Sequence, residues 1–348
     1  MEFALSNLYI VHWIRPYSTL CLAYAAKSVG RINNHFMLRL NDSIHYNALV
    51  SGNYETYKEY VKITNQEDHT LEKFLHIKNN WKLELCTPIT IYYNIKTKKW
   101  HVNDGVHRLA LLKYFGIIKD TLPFSLINFQ ISAPVKRTIG IALQATTKHT
   151  LYNGWNNNRC EYGYHSFIFG DMYFKGQRNN LMRISDIKKH IQFIDKSVLD
   201  FGCNTGGLLI HLPEIKKGRG YDYDEKCIIA ANLINTYIRF HSDLLFQQAN
   251  LETIDLTTVA KKGEFDIIFL CSLGSWIKNW KDVYTWAIRN IPCIIFEENN
   301  ASEGASQLAL FSDNGCKITK IIENSDDDNT GNRLRNTYKI DTMCLEKD

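Results

Sequence analysis

VLDFGCNTGG, residues 198–207, is the stretch from which the rest of the chain can be read. Strand formers surround a single carboxylate, Asp200, and the chain then turns through Gly202, Gly206 and Gly207 around Cys203, Asn204 and Thr205. Glycine has no Cβ, so such a loop lets the backbone approach a ligand closely. In an open parallel sheet, ligands sit beyond the C-terminal strand ends near the switch in strand order, and the first strand-to-helix loop is the usual seat. The run lacks the Gly-Lys-Ser/Thr that ends a Walker loop, and it is not a clean dinucleotide fingerprint. It reads either as a ligand cradle or as a junction whose glycines relieve crowding.

The flanking sequence favours the cradle. From Lys196 onward, apolar strand runs alternate with helical segments: SVLDFG, a helix from about 205, RGYDY, EKCIIAANLINTYIRF, LLFQQAN, FDIIFLC, IKNWKDVYTWAIR and CIIFEEN. Nearly continuous apolar strands separated by helices indicate a mostly parallel, doubly wound α/β sheet covered on both faces. After the helix GASQLALFSDNG, KITKIIEN and RNTYKIDTM read as a closing antiparallel pair. Asp222 ends the second strand, 20 residues after Gly202, where an acidic side chain can accept both hydroxyls of a ribose.

Upstream the pattern differs. Residues 7–13 read as a strand, Tyr17 to Ala26 as a short helix, and Asn41 to Lys82 as helical. PITIYYN (88–94) and WHVND (100–104) are two strands joined by a polar turn. GVHRLALLKYFG follows as a helix with Gly116 as C-cap, LPFSLINF (122–129) as a strand, and PVKRTIGIALQATTKH (134–149) as another helix. The Asn- and Gly-rich run after residue 150 marks a boundary. Three parts are therefore expected: a small α/β domain over 1–150, a linker and helical cover over 151–195, and the sheet domain over 196–348.

Composition narrows the class. The 348 residues, 45% hydrophobic and 22% charged, suit a folded protein of about two domains. Residues 1–150 hold 18 Lys/Arg against 10 Asp/Glu, and the remainder 23 against 26. This mild basicity permits an anionic partner, nucleic acid included, without requiring one. Nine scattered cysteines without Cys-x-x-Cys spacing argue against a zinc or redox site and point to a reduced, cytoplasmic setting. Glu2 and Arg15 interrupt the apolar opening, and no uninterrupted apolar stretch nears the roughly 20 residues a bilayer needs, so no membrane insertion is expected.

VLDFGCNTG and GYD together resemble the class I S-adenosylmethionine-dependent methyltransferases, whose first motif looks like VLDxGCxxG and whose second strand ends in GxD. The resemblance implies a seven-stranded Rossmann-like sheet with S-adenosylmethionine as cofactor. Carried over, Asp200 orients the methionine ammonium, Gly202, Asn204 and Gly206 line the methionine and ribose end, Asp222 holds the ribose hydroxyls, and Tyr223 covers the adenine. Asn250 stands where the family often has an acidic residue facing the adenine amine, and its side-chain carbonyl can accept the same bond. Cys271, at the end of the fourth strand, is a further cofactor contact; Cys203 reads as packing.

Methyl transfer from a sulfonium needs alignment and exclusion of water more than acid–base machinery. CSLGSW (271–276) and EENN (297–300) should form the acceptor wall. CSLGSW lacks the Asn/Asp-Pro-Pro-Tyr/Phe signature, and no Pro-Cys dipeptide suggests cytosine C5 chemistry. No His follows His241, so a base must come from elsewhere. His165 and Arg178 are the catalytic candidates of the segment before the sheet, and Tyr164, His165, Gln177 and Arg178 together are candidates for acceptor contacts or a carboxylate clamp. Glu297 binds a sugar hydroxyl, acts as base, or only satisfies loop amides; Arg178 and Arg183 alternatively solvate a helix face.

In the first domain, Asp104, Gly105, His107 and Arg108 sit at a strand-to-helix junction, next to amides that favour an anion. The DGVHR run resembles that of the ParB N-terminal and sulfiredoxin-like fold over Pro88 to Phe129, with IRP near the start resembling that fold's first loop. The resemblance suggests a phosphate site on Asp104, His107 and Arg108, against the alternative that Asp104 caps the helix and Arg108 pairs with an acidic side chain. The resulting expectation is O-methylation of a small metabolite or glycan, with the first domain recognising a phosphorylated group. An RNA or nucleotide methyltransferase and a catalytically inactive nucleotide- or DNA-binding protein are the alternatives.

Overall fold

A computed structural model describes residues 2–12, 27–28, 30–32, 35–64, 70–83, 86–94, 97, 99–131, 133–147, 161–169, 172–238, 243–329 and 335–342. The chain forms two compact units, Met1–Ser132 with Phe169–Asp171, and Ala133–Ile168 with Met172–Asp348. The helix anticipated at Tyr17–Ala26, the IRP loop and the Asn-rich linker core all fall outside the described residues.

The first unit holds a six-stranded mixed sheet. Its strands are β2 (Leu8–His12), β3 (Gly30–Ile32), β4 (His35–Arg39), β5 (Ile89–Asn94), β6 (Lys99–Asp104) and β8 (Ile127–Gln130), in the order β3-β4-β2-β6-β5-β8. A short β1 (Glu2–Ala4) pairs with β7 (Thr121–Pro123). Helices α1 (Ile44–Ser51), α2 (Glu55–Thr64) and α3 (Leu71–Asn79) occupy the segment expected to be helical, and α4 (Val106–Tyr114) follows β6. The single strand expected at 122–129 is interrupted by a 3-10 turn at Phe124–Leu126, directly after Pro123, which has no amide to extend a ladder.

The second unit carries the sheet that the alternation forecast. Its order is β13-β12-β11-β14-β15-β17-β16, with β11 (Ser197–Phe201), β12 (Lys217–Asp222), β13 (Leu244–Gln248), β14 (Ile267–Cys271) and β15 (Cys293–Glu297) parallel. β17 (Thr337–Asp341) runs antiparallel between β15 and β16 (Lys317–Ile322). This is a mostly parallel, Rossmann-like sheet whose order reverses beside β11. Residues 267–270 are all buried, as expected for a strand covered on both faces. Leu199, Ile268, Ile294 and Phe296 share one core with Val283, Tyr284 and Ala287 of α9 (Trp280–Asn290) and Phe311 of α10 (Ala301–Asp313).

The boundary expected near residue 150 falls instead at Ser132/Ala133. The intervening helix, α5 (Ala133–Thr147), packs along α8 (Glu225–Ile238), so it belongs to the second unit. Of the expected cover, a two-stranded ribbon of β9 (Phe167–Phe169) and β10 (Met172–Phe174) and the nine-residue α6 (Asn180–Lys188) are present.

Candidate active site

The glycine loop leaves β11 at the point where the strand order reverses. Gly202 and Gly206 have φ of 72° and 74°, a region costly for other residues. A Cβ on Gly206 would come within 2.5 Å of the Phe246 ring, so close packing also requires glycine there. Asn204, at φ 49°, is one of the residue types that tolerate this region, and its Oδ1 accepts from the Thr205 amide at 2.9 Å. The helix behind the loop, α7 (Gly207–Ile210), is only four residues long.

Asp222 fastens this loop from the neighbouring strand. The Asn204 amide donates to its Oδ2 at 2.8 Å and the Asp224 amide to its Oδ1 at 2.9 Å. Burial pushes its carboxyl up to about 6, and these amide bonds oppose the shift. Asp200 differs: it is buried, and its Oδ2 has no hydrogen-bond partner. Burial, with the Asp222 charge adding to it and Arg183 opposing it, pushes the Asp200 carboxyl up to about 8. An orphaned acceptor at a strand mouth beside a glycine loop is what an incoming ammonium would satisfy.

Tyr223 is 45% exposed just past the end of β12. Asn250 Oδ1 accepts from the Glu252 amide at 2.9 Å, so the carbonyl expected to receive an adenine amine already closes a local turn. Cys271 ends β14, and burial drives its thiol up, which keeps it neutral.

His165, expected as a base, takes another role. Its Nδ1 accepts from the Gly207 amide at 3.2 Å and lies 3.4 Å from Thr205 Oγ1. Burial, then the charges of Arg183 and Arg178, holds the ring well below its ordinary range, hence neutral. This imidazole braces the loop. Replacing it with Leu should weaken binding of S-adenosylhomocysteine about tenfold, whereas His165→Asn, which keeps an acceptor near Nδ1, should stay within about threefold. A base would show the opposite split, with turnover lost in the Asn variant and affinity intact in both.

Arg178 and Glu297, expected at the acceptor, lie instead in one buried ionic cluster. Arg178 donates to Asp327 through Nε at 2.9 Å and Nη2 at 2.7 Å, and to both Glu297 oxygens. Arg183 donates to Glu297 Oε2 through Nε at 2.9 Å and Nη2 at 2.6 Å, so it does not solvate a helix face. Arg335 and Ser272 complete the shell around Glu297. Burial would raise the Glu297 carboxyl, but Arg178, Arg183 and Arg335 together hold it well below the usual carboxylate range. A carboxylate with every lone pair engaged by donors cannot act as the base. Backbone pairing through Arg178 to His165 and Asp328 ties the cover to the loop before β17.

Sequence reasoning missed Asp327, Arg335 and Ser272, because their common neighbour is set by strand order and not by spacing. It also missed Asn180, buried with an unpartnered Oδ1 and packed where a Gly207 Cβ would stand. Glu303, hydrogen-bonded by Ser275 after β14, is an exposed carboxylate at the strand mouths.

In the first unit, the phosphate site is not assembled. Arg108 donates to Asp104 Oδ2 at 2.5 Å, to the carbonyls of Thr87 and Pro88, and to the Thr87 hydroxyl. His107 Nε2 lies 2.6 Å from the Tyr57 hydroxyl, and its ring packs on His45 and Phe74. Asp104 does not cap α4; Gly105 holds that position at φ 93°. Arg108 and Asp104 are therefore paired with each other, which matches the ion pair of the alternative to phosphate binding but not its Asp104 cap.

No protein-family model and no curated protein matches the chain. Among solved structures, it is similar to the bifunctional kinase-methyltransferase WbdD, at 16% identity and a TM-score of 0.38, over 48% of this chain and 40% of that one. It thus spans about two fifths of the WbdD length. It is also similar to the YcgJ protein from Bacillus subtilis, at 13% identity and a TM-score of 0.37, over 47% of this chain and 98% of that one. A third is the N-terminal domain of EvdMO1 with SAH bound, at 13% identity and a TM-score of 0.42, over 60% and 95%. Likenesses this distant transfer no residue roles, which follow here from the geometry above.

Proposed function

We propose that the second unit is an S-adenosylmethionine-dependent methyltransferase acting on a small metabolite or glycan hydroxyl. The observation that carries this reading is the unpartnered, buried Asp200 Oδ2 beside a glycine loop fastened by Asp222. Those residues fit the donor: Asp200 would receive its ammonium, Asp222 its ribose hydroxyls, and Tyr223 would flank its adenine. When bound, that donor supplies an activated methyl group. The chain's own part is to hold the loop through His165 and Asp222 and to shield the strand mouths with the paired segments around Arg178. With Glu297 and His165 otherwise engaged, alignment of the acceptor carries the reaction, and Glu303 is the exposed carboxylate nearest in sequence to the acceptor wall.

For the first unit, the resemblance to the ParB and sulfiredoxin-like fold is retained as a proposal for its architecture, without a phosphate at Arg108. Among described residues no helix is long and apolar enough to cross a membrane.

Calorimetry with S-adenosylhomocysteine tests the donor site. With its carboxyl near 8, Asp200 holds a proton at pH 7 in the free protein. An ammonium beside it favours the ionised form, so binding at pH 7 should release close to one proton. Affinity should climb with pH up to about 8 and level off above it, where Asp200 of the free protein is already ionised. Equal binding enthalpies in phosphate and Tris would mean no proton is released and would remove Asp200 from the site. Donor labelled in its methyl group, screened against hydroxylated metabolites, glycans and RNA, then separates the acceptor classes.

A further inference from the structure

We propose that the mouths of β14, β15 and β17 hold an oxyanion site, built on Arg335 and Thr337, that takes a carboxylate or phosphate carried by the methyl acceptor. The naming of the acceptor rests on the methyltransferase reading; the anion site itself does not.

Arg335 is 2% exposed, and its three hydrogen bonds all leave from Nη1, to Tyr164, Ser272 and Glu297. Nε is buried and has no partner. The Nε and Nη2 edge is the one that presents two parallel donors to a carboxylate or phosphate, and among the described residues neither atom has a hydrogen-bond acceptor. Two residues on, Thr337 is 1% exposed and its Oγ1 also lacks a partner. Thr337 stands opposite Glu297 in the β15–β17 register, so both groups belong to the same end of the sheet.

Charge points the same way. Glu297 receives bonds from Arg178, Arg183, Arg335 and Ser272, and Asp327 is held by Arg178 and Ser325. Asp328 accepts from Gln177 at 2.9 Å. Arg335 thus shares one carboxylate with two other guanidinium groups, at 3.2 Å, and among the described residues has no acidic partner of its own. A buried guanidinium whose Nε has no partner, with an unpartnered hydroxyl two residues on, suits an acceptor-only ligand.

Location assigns that ligand to the acceptor and not to the donor's own carboxylate. Asp200 lies on β11, with β14 between it and the strand of Glu297. Thr337 lies one strand further, on β17, so three strand spacings, roughly 14 Å, separate the two sites. An acid group on Arg335 would anchor the far end of an acceptor whose hydroxyl points back toward the glycine loop.

The test titrates inorganic phosphate and acetate into the full chain, with and without saturating S-adenosylhomocysteine. We expect phosphate to bind in both states. Arg335→Lys, which keeps charge but loses the fork, and Thr337→Val should each weaken it about tenfold. Thr337→Val should not lower the unfolding midpoint, since its hydroxyl has no partner to lose, and this keeps the test valid if Arg335→Lys misfolds. Phosphate affinity unchanged in Thr337→Val, or no phosphate binding by the wild type, would overturn the site. Displacement of phosphate by S-adenosylhomocysteine would overturn the acceptor assignment and give the site to the donor's carboxylate. Failure of S-adenosylhomocysteine itself to bind would sink the methyltransferase reading while the phosphate arm still judges the anion site.

Discussion

Asp222→Ala should raise the dissociation constant for S-adenosylhomocysteine at least about a hundredfold, because it removes two bonds to loop amides and the acceptor for a ribose diol, each charge-assisted bond contributing about 1.5–3 kcal/mol. The loop effect and the ligand effect act together, since the Asn204 amide donates to this carboxylate from the neighbouring strand. Stability should change little by comparison. Burial already raises the Asp222 carboxyl to about 6, which means that its charge costs the folded state something that Ala would relieve. Asp222→Asn retains one acceptor oxygen and should fall between, near tenfold. Calorimetric titration with circular dichroism on the same samples checks both halves. An Ala variant that binds with wild-type affinity would show that the ligand does not lie across β11 and β12.

The sheet was legible because its information is local. Short continuous apolar runs such as IIFLC, alternating with helical segments, fit strands covered on both sides, and glycines at 202 and 206 permit the positive φ that the loop adopts. The cofactor end was legible for the same reason: Asp200 and Asp222 each close a strand. The charged residues were not. Arg178 and Arg183 look like a solvated stretch in sequence, yet they meet Glu297 across more than 100 positions, in a contact created by strand order. DGVHR in the first unit likewise offers a cation and a helix start, but Thr87 and Pro88, 21 and 20 residues away, occupy Arg108. The domain boundary was misplaced because composition marks where a chain is polar, while α5 is assigned by the helix it packs on.

Glu297→Ala should destabilise the second unit by about 3–5 kcal/mol, the usual cost of leaving buried charge without its partner. For a unit of this size that corresponds to a drop of about 10 °C in the unfolding midpoint. The sign follows from the cluster: Arg178 is completely buried, Arg183 and Arg335 nearly so, and Asp327 alone cannot balance three guanidinium groups. Glu297→Gln keeps the shape but not the charge, and should lose nearly as much. The contribution is present at neutral pH because the folded carboxyl is depressed; it should fade only as pH falls through the ordinary carboxylate range and below. A general base would behave differently. Its removal would lower turnover while the midpoint held, so thermal unfolding of Glu297→Ala separates the two roles without a known acceptor. An unchanged midpoint would mean that the arginines find other partners, and that Glu297 is free for chemistry after all.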